Sequence, residues 1–256
     1  PGVWLSVTSL SFDISVLEVL WTLTRGYHVV IKADRGIPMR SGASRAPATP
    51  SPHANTRPVS FSLFYFAAGD AKAGDGYRLL LEGSTFADQN GFEAVWTPER
   101  HFHAFGGSFP NPSVVSAALA THTKNIAIRA GSVVLPLHSP VRVAEEWAVV
   151  DNLSNGRVGI SFAAGWQPND FVLNPSGYGS AKEALPSMID TVKRLWRGET
   201  VPMDGHDGNT VNIRTLPRPI QPELPIWLTS AGSPSTFVQA GSLGTNLLTH
   251  LLGQSV

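Results

Sequence analysis

One stretch of the sequence decides the fold: Glu93-Ala94-Val95-Trp96-Thr97-Pro98-Glu99-Arg100-His101-Phe102-His103-Ala104-Phe105-Gly106-Gly107. It begins as a short apolar strand and ends, within a few residues, in a carboxylate, a guanidinium and two imidazoles. A strand that delivers titratable groups at its carboxyl end is typical of a parallel α/β barrel, because the active site of such a barrel is built there. The stretch therefore predicts that residues 99–103 lie at the open end of a barrel.

Apolar segments of strand length recur on both sides of this stretch, with helical patterns between them. Strands are predicted at residues 61–66, 93–97, 126–135, 157–163, 226–229 and 246–250. Helices are predicted at residues 77–89, 111–122, 141–151, 185–196 and 234–241. Asn111, Ser139 and Ser233, each followed by Pro, are the predicted caps of the second, third and fifth of these helices. A tight turn between two short strands is predicted at Asp207-Gly208. Strands that are apolar throughout and alternate with helices indicate a parallel sheet covered on both faces.

The loop after the first barrel strand distinguishes between two possible α/β folds for this chain. A doubly wound sheet opens with a glycine-rich phosphate loop, and Phe66-Ala67-Ala68-Gly69-Asp70 lacks that spacing. We therefore predict an α/β fold of the (β/α)8 TIM-barrel type. Only six of the eight strands that close such a barrel are found, so the pattern predicts a barrel cut short at its C-terminus.

The segment before the barrel divides in two by composition. Residues 1–32 contain a predicted short helix at 16–23 and a strand at His28–Ile31, which cannot bury a core alone. Residues 33–58 interleave Pro with Ser, Ala and Arg and are predicted to be a linker. Residues 59–256 are the predicted barrel.

The composition argues against several classes of partner and site. The net charge is zero, with 19 basic and 19 acidic residues, which disfavours nucleic acid or an anionic membrane as the main partner. The chain has no Cys, so it has neither disulfides nor thiolate metal ligands. No signal-like segment and no apolar run near the ~20 residues of a membrane span is visible, which predicts a cytoplasmic protein.

Glu99, Arg100 and His101 are the predicted catalytic residues. At a barrel mouth, His101 could donate or accept a proton, and the two charged neighbours could tune it. The alternative is a loop salt bridge between Glu99 and Arg100, with exposed imidazoles. A metal site at His101 and His103 lacks obvious third and fourth ligands, so no metal is predicted.

Three further strand ends carry candidate binding residues. Ser230–Thr236 joins a strand to a helix, where free N–H groups and hydroxyls suit a phosphate; the alternative is that Ser233 only caps the helix. Small residues at Gly131-Ser132 and Ala163-Ala164 leave room for a flat ring, or serve close packing alone. His138 is predicted to be packed or solvated rather than functional.

Four segments, in this order and spacing, resemble the bacterial-luciferase-like flavin-dependent monooxygenases over residues 59–256. They are Gly91–Phe102, Val134–Pro136 with Ser139–Arg142, Asp151–Arg157 and Gly232–Thr236. The resemblance implies a (β/α)8 barrel that binds reduced FMN supplied by a separate flavin reductase. It also implies O₂ as cosubstrate and insertion of one oxygen atom into an organic substrate.

The resemblance also assigns residues. Gly232, Ser233 and Thr236 match positions that hold the FMN phosphate. Gly131-Ser132 matches an unusual cis peptide beneath the isoalloxazine, and Ala163 a small side chain next to that ring. His101 matches the second His of the family's Glu-His-His pattern.

Two positions depart from the family pattern. Arg100 replaces the first His of Glu-His-His, which is catalytic in luciferase, so light emission is not implied. Ala164 replaces a phosphate-binding Arg, so other groups are expected to anchor FMN.

The N-terminal unit resembles a different family. Ser11–Ser15, with Glu18 and Leu23–Gly26, looks like the core of an adenylation domain of a non-ribosomal peptide synthetase, in which Asp13 matches the residue that binds the substrate's α-amino group. Monooxygenases embedded in such synthetases resemble residues 59–256. The implied substrate is an aminoacyl or peptidyl group on a carrier domain. The alternative is a non-catalytic barrel insert that acts as a docking or spacing module.

Overall fold

The computed structural model describes residues 3–6, 28–31, 60–66 and 76–250. The chain divides into two units, Pro1–Pro58 with Leu252–Val256, and Val59–Leu251. In the first unit, β1 (Val3–Ser6) and β2 (His28–Ile31) pair in parallel, and β2 confirms the predicted strand. The predicted helix at 16–23 and the predicted linker at 33–58 lie outside the described residues.

The second unit contains a parallel sheet of six strands. They are β3 (Ser62–Phe64), β4 (Ala94–Thr97), β5 (Ala127–Val134), β6 (Val158–Ala163), β9 (Ile226–Thr229) and β10 (Asn246–Leu248). Their order in the sheet is β10-β9-β6-β5-β4-β3, and every neighbouring pair is parallel. Within the described residues, these parallel strands confirm the predicted α/β fold of the (β/α)8 type.

Helices alternate with these strands. They are α1 (Arg78–Gln89), α2 (Pro112–His122), α3 (Pro140–Ser154), α4 (Ala181–Arg197) and α5 (Pro234–Ser242). Between α4 and β9, the strands β7 (Val201–Asp204) and β8 (Thr210–Ile213) form the predicted antiparallel hairpin. Short 3-10 turns lie at Leu135–Leu137, Pro168–Leu173 and Pro175–Gly177.

The helix ends follow local sequence in some places and not in others. Asn111 caps α2 as predicted, because its side chain accepts from the N–H groups of Ser113 and Val114. Ser139 and Ser233 stand at the cap positions of α3 and α5, but neither side chain makes a cap hydrogen bond. The predicted cap positions of these two residues are confirmed, but the hydrogen bonds expected from their hydroxyls are not formed.

The core lies between the helices and the sheet. Its largest fully buried side chains include Trp147 of α3, Trp196 of α4 and Phe162 of β6. Helix α4 begins at Ala181, earlier than predicted, and holds Pro186 inside it. Ala181 and Leu185 are both buried one turn apart, so burial of this face extends the helix despite the proline.

Three charged residues bind main-chain groups at the N-terminal edge of the sheet. Arg157 donates to the carbonyl oxygens of Ala120, Thr123, Ile126 and Ser154. Asp151 is fully buried and accepts from the N–H groups of Ile220 and Gln221 at 2.6 and 2.9 Å and from the Gln221 side chain at 2.8 Å. Asp88 accepts from the N–H groups of residues 124–126. These contacts join the loops that begin β5, β6 and β9.

Candidate active site

The carboxyl ends of β4, β5, β6 and β9 meet at one edge of the sheet, because these four strands are parallel neighbours. This edge carries Glu99 and His101 after β4, Gly131-Ser132 in β5, Ala163 at the end of β6 and the loop 230–236 after β9. The predicted residues from four separate segments therefore share one edge of the fold. The peptide bond Gly131–Ser132 is cis, as the family resemblance predicts.

The Glu99 carboxylate is the centre of a buried hydrogen-bond cluster. Its side chain is fully buried, and its Oε1 accepts from Nε2 of both His101, at 2.9 Å, and His138, at 2.5 Å. Its Oε2 accepts from the N–H of Val134 at 2.6 Å. The cluster joins the loop after β4 to the end of β5 and the turn that follows it. The alternative interpretation, a Glu99–Arg100 salt bridge, is not observed, because Glu99 contacts two imidazoles instead.

The protonation of this cluster follows from its contacts. Burial alone raises the pKa of Glu99, but the hydrogen bonds from His101, His138 and the Val134 N–H outweigh burial and hold that pKa below its usual range. Burial alone lowers the pKa of His138, but its hydrogen bond to Glu99 and the charges of Glu99 and Glu146 raise it above the usual value. The arrangement therefore favours an ionised carboxylate and a charged His138.

Arg100 and Asp170 lie beside this cluster with unpaired atoms. The Arg100 guanidinium lies 4.7 Å from the ring centre of Trp166, and its Nε is buried without a hydrogen-bond partner, as is Oδ1 of Asp170. Burial, aided by the charge of Glu99, raises the pKa of Asp170 against the opposing charges of His101, Arg100 and His103. Buried unpaired polar atoms are rare in folded proteins, so each of these two atoms calls for a structural or functional explanation.

The room beside Gly131 is occupied by aromatic rings. A Cβ at Gly131 would come within 2.8 Å of the Phe64 ring and 3.0 Å of the Trp96 ring, so the glycine permits their close approach. Close packing, the alternative to an open slot, therefore accounts for the small residue at Gly131. Ala163 pairs with Val134 in the sheet, and Ala164 packs against the core.

Hydroxyl groups line the sheet next to the cis peptide. Ser132 and Thr229 share a hydrogen bond of 2.5 Å between their hydroxyls, and Thr229 shares another of 2.6 Å with Ser161. These three side chains connect β5, β6 and β9. They provide polar groups in the part of the sheet where the resemblance places the flavin ring.

A row of stacked aromatic rings flanks this edge. Phe64 stacks on Phe66 at 4.8 Å and on Trp96 at 6.2 Å between ring centroids, and Phe66 stacks on Phe105 at 5.7 Å. Phe64, Phe66 and Phe105 are each exposed over more than a third of their surface, and Trp166 over 72%. This surface can cover one face of a flat or greasy ligand and exclude water from it.

The loop before α5 forms several hydrogen bonds within itself. The hydroxyl of Ser230 accepts from the N–H groups of Gly232 and Ser233 at 3.3 and 3.1 Å, so these two N–H groups are not free as predicted. The hydroxyl of Ser233 bonds that of Ser235 at 2.9 Å, and both residues are exposed. The Thr236 N–H donates to the Ser233 carbonyl. The first turn of α5 has no acidic residue, which leaves this helix start open to an anion.

Sequence reasoning missed His138 as a member of the site. This residue lies in the segment that follows a barrel strand, where functional groups collect in this fold. In the sequence, this role could have been inferred from the position of His138 directly before the predicted helix cap Ser139.

Within residues 60–66 and 76–250, no group of acidic or imidazole side chains is arranged to hold a metal ion. The helices in these residue ranges include none with the length and hydropathy of a membrane span.

Comparisons with known proteins place the chain in a family. Residues 57–255 match the model of the luciferase-like monooxygenases. The oxygenase component of the flavin-dependent trigonelline monooxygenase of Acinetobacter baylyi is 33% identical over 174 residues, which cover 67% of this chain and 48% of that protein. The F420-dependent glucose-6-phosphate dehydrogenase of Amycolatopsis mediterranei is 28% identical over 181 residues, covering 68% of this chain and 53% of that protein.

Solved structures agree with this assignment. The monooxygenase RslO1 of Streptomyces bottropensis superimposes with a TM-score of 0.66 at 28% identity, covering 74% of this chain and 59% of that one. The chain thus spans about half the length of the curated relatives it matches. The family model, the fold and the conjunction of strand-end residues lead to one conclusion: this chain belongs to the luciferase-like monooxygenase family.

Proposed function

We propose that this chain is the barrel of an FMN-dependent monooxygenase, which uses reduced flavin and O₂ to hydroxylate an organic substrate. The observation that carries the proposal is the buried Glu99 carboxylate with two imidazoles at the carboxyl edge of the sheet. Active sites of barrel enzymes lie at that edge. The flavin-dependent relative in Acinetobacter baylyi supports the choice of cofactor class.

The residues at this edge fit FMN in two ways. Stacked and exposed aromatic rings, with Phe66 and Phe105 among them, suit a flat ring system, and the unpaired buried atoms Arg100 Nε and Asp170 Oδ1 can pair with its polar groups. The exposed hydroxyls of Ser233 and Ser235, at a helix start without acidic residues, suit a phosphate. Bound there, reduced flavin would supply the electrons for oxygen activation.

The chain's own residues would transfer protons and stabilise charge during the reaction. His101 donates its Nε2 proton to Glu99, so its Nδ1 is left to accept a proton from the substrate or deliver one to the reacting oxygen. Arg100 brings a fixed positive charge to the same mouth and can stabilise an anionic oxygen. Trp166 lies under the Arg100 guanidinium and, with the aromatic row, would keep water away from the reaction.

The substrate class and partners rest on the N-terminal resemblance. Residues 1–32 resemble part of an adenylation domain, so we propose an aminoacyl or peptidyl group tethered to a carrier domain as the substrate. A separate flavin reductase would supply the reduced FMN. The exposed aromatic residues at the mouth of the barrel suit entry of a tethered group from solvent.

A non-catalytic docking or spacing module is the rival function, and one observation favours it. The Phe64 ring occupies the space beside Gly131, where the resemblance places the flavin. Phe64 lies on the edge strand β3 and is 39% exposed, so movement of one ring would be needed to admit the cofactor. Fluorescence titration with FMN separates the two functions, since a spacer need not bind flavin.

The proposal is tested by turnover. The purified chain, a flavin reductase, FMN, NAD(P)H and carrier-bound aminoacyl substrates are combined, and oxygen consumption and product mass are followed. We expect substrate-dependent oxygen consumption and a product that is one oxygen atom heavier. Reduced F420 in place of FMN is the matched control for the other cofactor class of the family. Absence of product with every substrate, or turnover only with F420, would overturn the proposal.

A further inference from the structure

The Glu99 carboxylate holds two imidazoles on a single oxygen atom. Nε2 of His101 and Nε2 of His138 both lie within hydrogen-bond distance of Oε1, while Oε2 is occupied by the Val134 N–H. An ionised carboxylate only accepts, so both rings carry a proton on Nε2. The His101 and His138 rings can therefore differ only in whether Nδ1 is also protonated.

The surroundings of the two rings are unequal. The Glu99 side chain is fully buried, and one negative charge there can balance one imidazolium but not two. The His138 ring also feels the charge of Glu146 on α3. Arg100 and His103 lie next to His101 on its own loop, and Asp170, whose pKa is raised mainly by burial, also interacts with the His101 charge. Nε2 of His138 lies closer to Oε1 than Nε2 of His101 does, at 2.5 against 2.9 Å, and the His138 side chain is more exposed, at 29% against 9%. The shorter contact, the greater exposure and the second carboxylate charge together favour His138 as the cation.

We propose that His138 is a positioning residue that carries the positive charge balancing Glu99 and thereby keeps His101 neutral, with its Nδ1 free to accept a proton. This role deepens the proposed function, on which it rests, because it makes His101 a base rather than an acid at neutral pH. His138 acts through Glu99, whose single Oε1 atom both rings share. The direction of the His138 pKa shift, raised by its contacts with Glu99 against its burial, agrees with this assignment.

Two substitutions test whether the charge of His138 keeps His101 neutral. His138→Gln retains an N–H donor toward Glu99 but has no charge, so the full negative charge of Glu99 acts on His101 and favours its cationic form. His138→Lys restores a positive charge at the same place. The two variants therefore separate the charge of residue 138 from its hydrogen bond.

The test that needs no cofactor is NMR of the whole chain labelled with ¹⁵N in its histidine rings. Spectra of His101→Gln and His138→Gln assign the two rings. At about neutral pH we expect His138 with both nitrogens protonated and His101 with a proton on Nε2 alone. In His138→Gln the His101 ring should become charged at the same pH, and in His138→Lys it should remain neutral. A charged His101 in the unaltered chain, or the same His101 spectrum in His138→Gln, would overturn the inference.

Turnover supplies the second readout. Relative to the unaltered chain, His138→Gln should lose about tenfold in turnover at about pH 6 and much less at about pH 9, whereas His138→Lys should restore turnover at low pH. A loss in His138→Gln that is equal at all pH values indicates a merely structural residue and refutes the positioning role. If the NMR result is as expected but no chain turns over, the proposed function fails while the charge assignment stands.

Discussion

The two edges of the sheet use buried charge differently. At the N-terminal edge, Asp151 and Arg157 form hydrogen bonds with main-chain groups of loops that lie far apart in the sequence. At the carboxyl edge, Glu99 mainly binds other titratable side chains, and Arg100 and Asp170 keep buried atoms unpaired. Charged groups whose hydrogen bonds are satisfied by main-chain atoms stabilise a fold, whereas mutually paired titratable groups and unpaired buried atoms are more frequent at functional sites. We therefore propose that the N-terminal edge serves stability and the carboxyl edge serves chemistry.

The largest expected effect is on stability at the N-terminal edge. Asp151→Ala removes the acceptor for two main-chain N–H groups and one side-chain amide at a fully buried position, so we expect a loss of about 3 kcal/mol or more in the free energy of unfolding. Urea denaturation measures it. Asp190→Ala, on the exposed face of α4, is the matched control. If both variants unfold alike, the assignment of stability to this edge is wrong.

At the carboxyl edge the expected effect is on turnover. Glu99→Gln keeps the shape of the side chain but removes the charge that orients His101, and we expect turnover to fall about 10²-fold. Glu93→Gln is the control, because it lies just before the same strand β4 at the opposite edge and pairs with Arg129. Steady-state kinetics of both variants provide the measurement. Equal losses in the two variants would remove the distinction between the edges.

A smaller effect should appear in the pH dependence of stability. Burial raises the pKa of Asp88, but hydrogen bonds from three main-chain N–H groups and the charge of Arg157 lower it below its usual value. A carboxyl with a depressed folded-state pKa stabilises the fold above its unfolded pKa, and this stabilisation is lost as pH falls through the folded value. Asp88→Asn should therefore cost about 1 kcal/mol at neutral pH and little in acid. Denaturation across pH, against Asp190→Asn, checks this; a pH-independent loss would contradict it.

The smallest expected effect is at Asp170 and has the opposite sign. Burial raises the pKa of this carboxyl, so ionisation weakens the fold as pH rises through the folded-state value. Asp170→Asn mimics the neutral form and should stabilise the chain by about 0.5 kcal/mol at neutral pH. Thermal unfolding measures it. Destabilisation at neutral pH would show that the charged form is the one the fold requires.

The sequence predicted the strands and the shared edge well, because both depend on local pattern. Each strand is a short apolar run, and parallel neighbours bring their carboxyl ends together whatever the details of the loops. Asn111 was also predictable as a cap, since its partners lie two and three residues away. The loop after β9 was predicted less well, because Ser230 rather than Ser233 binds the main chain there.

The chemistry of the site was less accessible from sequence because it depends on long-range contacts. His138 meets Glu99 across 39 residues, and no local period signals that meeting. The packing of Phe64 beside Gly131 likewise depends on how β3 lies beside β4 and on the rings of both strands. The family resemblance pointed to Glu99 and His101, but only the fold showed that a second imidazole shares the same carboxylate oxygen.

The most direct test of the central claim is an anaerobic titration of the ¹⁵N-labelled chain with reduced FMN, followed by amide chemical shifts. The two edges offer alternative places for a ligand, because a cavity of about 230 Å³ at the N-terminal edge is lined by Arg129, Arg157 and Gln221 among others. The account predicts saturable shifts at Gly131, Ala163 and Ser233 on the carboxyl edge. Shifts confined to the N-terminal cavity, or no saturable change at all, would contradict it.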